Sequence, residues 1–346
     1  MKKKALLLTA LGVFALGACV QTQPATNENI ADLKAALKKE EAKSDLGYHL
    51  SGNMSYATKI GATTAASFEL KNLEGDLSFV GYPTAENPSV RGEDLKAYAS
   101  FKYTEFNLNV LDPDTLDEVM AISTTNAERH SAAIYVANGD AYIDLSNIGI
   151  DTLRVEGENE NVESGKIRLP GIYEDTHFVV NEGGSILGSL SALMGMSESE
   201  MDTYVLKNVF EFKKSGDATE AVASMDAAKL RNVYVSKELA VYYAQVLPTI
   251  PEENQNDALV AERNALEQAF NEAIPAFNLN LSIKYNTKGL TAITLSTQGK
   301  IVSYLEDLVT PVSVEFDIDL AVKVQNASIP SDFNTSGYTD FDVDLN

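Results

Sequence analysis

Val312-Ser-Val-Glu-Phe-Asp-Ile-Asp-Leu-Ala-Val-Lys-Val-Gln325 alternates apolar and polar side chains without a break. Successive side chains of a strand point to opposite faces, so this stretch predicts a long strand with one apolar and one polar face. An antiparallel sheet covered on one side reads this way, whereas buried parallel strands are apolar throughout. The same period governs what precedes it. Phe277, Leu279, Leu281, Ile283 and Tyr285 alternate, Asn286-Thr-Lys-Gly289 turns, and Leu290 to Thr297 returns.

The N-terminal half follows the same rule. Tyr48, Leu50, Met54 and Tyr56 share one parity, and Phe68, Leu70, Leu77 and Phe79 alternate likewise. Ala97, Phe101 and Tyr103 are odd, whereas Phe106, Leu108 and Val110 are even, which predicts a β-bulge near Thr104-Glu105 inside one long strand. Ile134 to Leu145 predicts a hairpin, because Asn138-Gly139 is the preferred pair for a two-residue turn that needs positive φ twice. Leu153 to Leu169 reads as an acidic loop between short strands.

Between the two meanders the period becomes helical. Ser197-Glu-Ser-Glu200 is a capping box opening a helix with Met201, Val205, Leu206, Val209 and Phe210. Lys237 to Leu247, capped by Ser236 and stopped by Pro248, predicts a second helix. Glu252 to Ala273 predicts a third, with Leu259, Leu266 and Phe270 on its stripe. A shorter amphipathic helix starts at Ile30 with Leu33, Ala36 and Leu37. The expected fold is therefore α+β and mostly antiparallel: a long curved sheet, half-barrel-like, whose concave face the central helices cover. Residues 30–346 form one such domain, with 46–180 and 200–346 as two possible related halves.

The N-terminus carries a different signal. Lys2, Lys3 and Lys4 precede an uncharged run from Ala5 to Ala15, as in a secretory signal. That run is too short for a membrane span, which needs about 20 apolar residues. Leu16-Gly17-Ala18-Cys19 then resembles the lipobox of bacterial lipoproteins: an aliphatic residue, two small ones and a cysteine. The resemblance implies a signal peptide over 1–18 and a diacylglyceryl group on Cys19, the first residue after cleavage. Cys19 is the only cysteine, so no disulfide competes for it. Residues 19–29 are expected to be the lipidated cysteine and a flexible tether. The location implied is the cell membrane, lipid-anchored on its extracytoplasmic face, at the cell surface or in the periplasm.

Composition restricts the partners. Fifty acidic residues against 27 basic ones give a net charge of −23. Nucleic acid is excluded as a partner, because phosphate binding needs clustered Lys and Arg. Anionic headgroups should repel the body of the protein, so the expected membrane contact is the lipid on Cys19 alone. The acidity suits a cationic or envelope protein partner.

Little in the sequence points to catalysis. His49, His130 and His177 lie in separate contexts, with no pair at metal-binding spacing. No nucleophile elbow is present, and Gly183-Gly184-Ser185 lacks the lysine of a phosphate loop. Asp112-Pro-Asp-Thr-Leu-Asp117 reads as turn chemistry rather than a calcium loop. Asp340, Asp342 and Asp344 read as the solvated face of an edge strand. No catalytic residue, metal or cofactor is expected. One segment suggests binding: Ile186, Leu187, Leu190, Leu193, Met194, Met196 and Met201, interleaved with Gly188 and Gly195. Methionine adapts to irregular apolar surfaces and glycine permits movement, so these residues form a candidate lid over an apolar cavity, or else a helix packed on the sheet.

Element order, size and anchor together resemble the half-barrel carriers of lipoproteins and lipids, of the localisation-of-lipoproteins and mycobacterial lipid-binding type. That resemblance implies a non-enzymatic module binding an apolar ligand such as lipid. The alternative is a surface-interaction or adhesin-like envelope component.

Overall fold

A computed structural model describes residues 23–112, 115, 117–124, 129–160, 165–179, 197–303, 310–331 and 333–340. The fold is α+β, with one large, mostly antiparallel sheet that does not close into a barrel. In chain order the strands are β1 (Gln23–Pro24), β2 (Leu46–Ile60), β3 (Thr63–Val80), β4 (Ser89–Arg91), β5 (Lys96–Tyr103), β6 (Glu105–Leu111) and β7 (Glu118–Thr124). Next come β8 (His130–Ala137), β9 (Asp140–Asn147), β10 (Ile150–Val155), β11 (Glu158–Asn159), β12 (Lys166–Leu169) and β13 (His177–Val179). The chain closes with β14 (Phe210–Ser215), β15 (Ala218–Asp226), β16 (Ala276–Asn286), β17 (Gly289–Ser303), β18 (Val312–Gln325) and β19 (Thr339–Asp340). The helices are α1 (Asn27–Glu41), α2 (Ala227–Gln245) and α3 (Gln255–Ala273), with a π-helical turn at Met201–Leu206.

The ladder runs β1-β14-β15-β16-β17-β18-β2-β3 and then forks. Glu74–Val80 of β3 pairs with β5, which continues through β8, β9, β12 and β19. Ala66–Lys71 of the same strand pairs with β6, which continues through β7, β10 and β11. Only the β12–β19 pairing is parallel among those of the described residues. The two halves of the sequence thus share one sheet, joined by the ladder from Val312↔Ile60 to Gln325↔Gly47.

The bulge expected at Thr104-Glu105 takes a particular form. β5 and β6 keep one register against β3 and are separated by Thr104 alone. The extra residue lies on β3 relative to β2, between Gly52↔Leu73 and Met54↔Leu70. Asn72 adopts a left-handed φ of 51° there, and its backbone N–H donates to Asn53 Oδ1 at 2.8 Å. Asparagine tolerates this conformation better than other non-glycine residues. The β8–β9 turn at Asn138 (φ 54°) and Gly139 (φ 81°) is as the sequence predicts.

Several helix boundaries differ from expectation. α1 begins at Asn27, because the Thr26 side chain accepts from the Asn29 N–H and caps it. β1, paired to β14, lies inside the stretch expected as a tether. The Ser197–Glu200 capping box forms in both directions, at 2.8 and 3.3 Å. Its helix ends at Leu206, and Phe210 opens β14 instead. α2 starts at Ala227 rather than Lys237, capped by Asp226 accepting from Lys229 N–H at 2.8 Å, so Ser236 lies inside the helix.

The main core seals one half of the sheet. Leu33 and Leu37 of α1 and Leu206 of the π-turn pack with Phe212, Ala221 and Ile283 of β14–β16, each at most 3% exposed. The N-terminal helix thus shares the cover with the central helices. At the opposite end, residues after β18 cross the polar face as a strap. Ser328 N–H donates to Ser78 Oγ at 3.0 Å, and Phe333 stacks on Tyr135 with ring centroids 4.1 Å apart. The strap then enters β19 beside Ile167 and Arg168.

Candidate functional site

Directly paired residues of antiparallel strands point to the same side, so the registers trace rows of side chains across the sheet. One row runs Phe316, Tyr56, Phe68, Leu108, Ile122 and Leu153, across β18, β2, β3, β6, β7 and β10. A second holds Ile318, Met54, Leu70 and Phe106. A third holds Val314, Thr58, Ala66, Val110, Met120 and Val155. Together they make an apolar floor.

Alternation along β18 puts Phe316 on the same side as Val322, whose row leads through Ile293 to Ile283 and Ala221 in the main core. One apolar face therefore has two fates. Over β14–β17 it is sealed by helices. Over β18–β10 its residues stay partly exposed, and Tyr56 is 42% exposed. Local features shape the floor. Phe68 and Phe106 meet edge to face at 5.7 Å. A Cβ on Gly299 would stand 2.7 Å from Phe316 Cζ, so glycine lets that ring lie across β17.

The polar groups on these rows are hydroxyls, with Tyr56 and Thr58 bonded to each other at 2.6 Å. Charges sit on the other face. Glu315 accepts from Lys59 at 2.6 Å and Lys300 at 3.0 Å, and Lys71 bridges Glu69 and Glu105, both at 2.9 Å. These bonds hold the Glu315 and Glu105 carboxyls below their usual range and push Lys71 up to about 12. The floor offers dispersion and apolar area, with ionised groups kept to the opposite side.

A second apolar feature is a groove between α2 and α3, lined by Leu239, Ala240, Tyr243, Leu259 and Val260. Tyr243 is 60% and Val260 52% exposed, whereas Val233 and Phe270, nearer the sheet, are buried.

Of the residues expected to form a lid, Ile186, Leu187, Leu190, Leu193, Met194 and Met196 lie outside the described residues, as does Cys19. Met201 is 3% exposed in the main core and packs as a structural side chain. The histidines lie apart: His49 bonds Asp76 at 3.0 Å, His130 packs 5.7 Å from the Tyr103 ring, and His177 is exposed on β13. Asp340 lies on β19 against Arg168 at 3.3 Å, while Asp342 and Asp344 lie outside the described residues. Among the described residues no three His, Cys, Asp or Glu side chains group as metal ligands, and no helix is long and apolar enough to cross a membrane. The sequence showed the parity of the floor residues but not their exposure, because cover depends on where distant helices settle. Comparison with protein-family models and with curated proteins gives no match.

Proposed function

We propose that this chain is a lipid-anchored, extracytoplasmic, non-enzymatic module that binds an apolar ligand such as lipid. The observation that carries the reading is the floor: a face apolar in three successive rows, continuous with the core, yet partly exposed over β18–β10. Contiguous exposed apolar surface on a soluble body marks a binding site, since each square ångström kept from water contributes about 25 cal/mol. The lipobox-like Leu16-Gly17-Ala18-Cys19 supports the anchor.

The test is native mass spectrometry with lipid extraction on the secreted chain carrying Cys19→Ser, alongside Phe68→Asp/Leu108→Asp. Co-purified lipid on the parent, lost from the variant at unchanged circular dichroism, is the expected result. A clean apo mass for both after incubation with membrane extract would sink the reading.

The exposed α2–α3 groove favours a second reading, a surface-interaction component of the envelope. Photo-crosslinking from position 243 in intact cells would support it by yielding one reproducible envelope partner.

A further inference from the structure

The acidic body has a local reversal of charge at the end from which the anchor leaves. β1 runs antiparallel to β14 with Gln23 beside Phe212 and Pro24 beside Glu211, so the chain enters the sheet from the side of Lys213 and Lys214. That end carries the β14–β15 turn at Gly216–Asp217 and the β16–β17 turn at Thr287–Lys288. Lys213, Glu220 and Lys284 form one row across β14, β15 and β16. The last turn of α1 brings Lys38 and Lys39, and Lys39 Nζ donates to the Thr287 carbonyl at 2.8 Å. Six lysines (38, 39, 213, 214, 284 and 288) thus gather against the acids Asp32, Glu41, Asp217 and Glu220. At the opposite end of the strands, residues 227–273 of the helical hairpin hold four basic and seven acidic side chains.

We propose that this lysine-bearing end is a headgroup-binding surface, a second membrane contact that acts with the lipid on Cys19 and recognises anionic phospholipid. The proposal rests on the lipid-anchor reading given above. Cys19 lies four residues before Gln23, so at 3.3–3.6 Å per residue the lipid is at most about 14 Å from the β1–β14 edge. Those lysines are thereby held within reach of the bilayer surface, where each contributes about fivefold in binding (about 1 kcal/mol) at an anionic leaflet. A lipid plus a basic patch is a recognised two-signal anchor. The floor is set back from that end: Phe316 lies six residues along β18 from Val322, whose row contains Phe212 beside Gln23, or about 20 Å at a strand's rise.

Because Cys19 is the only cysteine and would be blocked by lipid, the full-length lipidated chain accepts a single dye at Ser215→Cys or Gln245→Cys. Energy transfer to a headgroup acceptor is measured on phosphatidylcholine vesicles with and without phosphatidylglycerol. Transfer from position 215 should rise with phosphatidylglycerol. It should return to the neutral-vesicle level in 1 M salt, where the Debye length is about 3 Å. It should also fall in K38Q/K214Q/K288Q, whose melting temperature serves as the folding control. Position 245 should stay dark throughout. Equal transfer from 215 on neutral and anionic vesicles, or stronger transfer from 245, overturns the proposal. Failure of the protein to float with any vesicle, with dye entering Cys19, instead defeats the anchor reading.

Discussion

Asn72 and Thr104 meet where the sheet divides: the Asn72 side-chain amide donates to Thr104 Oγ1 at 2.8 Å, and the Thr104 N–H donates to the Lys71 carbonyl at 3.1 Å. β3 is thereby pinned to the gap between β5 and β6. Asn72→Val places a β-branched residue at a φ of 51° and removes the amide. A destabilisation of about 1–3 kcal/mol is expected, read as a lower denaturant midpoint at an unchanged m-value. Asn72→Gly should recover the backbone share and leave only the lost hydrogen bond.

The strap depends on a missing side chain. A Cβ on Gly47 would lie 2.6 Å from the Asn326 carbonyl carbon and oxygen. Gly47→Ala should therefore displace residues 326–340 while the β2–β18 ladder persists. Hydrogen exchange checks this: amides of Ser328 and Asp340 should exchange faster, and those of Val314–Val322 should not.

The far end of the strap is sensitive to acid. Asp140 accepts from Arg168 Nη2 at 2.7 Å, Gly171 N–H at 2.8 Å and Tyr142 Oη at 3.1 Å. Burial alone would raise its pKa, but the bonds from Gly171, Arg168 and Tyr142 outweigh it and hold the carboxyl below the ordinary aspartate value. A depressed folded pKa means the stabilisation is complete above the unfolded value near 3.9 and is lost as pH falls through the lower folded one. Arg168 also bonds Asp340, so protection of β19 should decline below about pH 4. Asp140→Asn should show weak protection at every pH.

Core and floor should separate stability from binding. Leu206 is fully buried, so Leu206→Ala should cost about 2–5 kcal/mol. Leu108 is partly exposed, so Leu108→Ala should cost less while reducing lipid uptake. Equal thermal shifts for the two would mean that the floor is core.

Much of this architecture was legible because strand parity is a local property. Val312–Gln325, the Asn138-Gly139 turn and the Ser197–Glu200 box each carry their own signal within a few residues. Asp226 does not stand out as a cap because Ser236 mimics one and the residues after Asp226 show no clear stripe; α2 buries only Val233 and Val235. Phe333 and Tyr338 sit in a polar stretch with no period, so their packing on Tyr142 was invisible until β9 was positioned. The lysines around the β14–β15 and β16–β17 turns come from three distant segments, and total composition averages them away.

The β18–β2 ladder joins residues 312–325 to residues 47–60. Until the last part of the chain is available, β2 presents an unpaired edge with its apolar face open, and the N-terminal meander is a sheet without its neighbour. Pairings this distant in sequence are slow to form, because loop closure must precede any gain from contact. A chain cut short before β18 should therefore leave that edge and its apolar face open to other chains, so truncation at the C-terminal side is expected to favour aggregation.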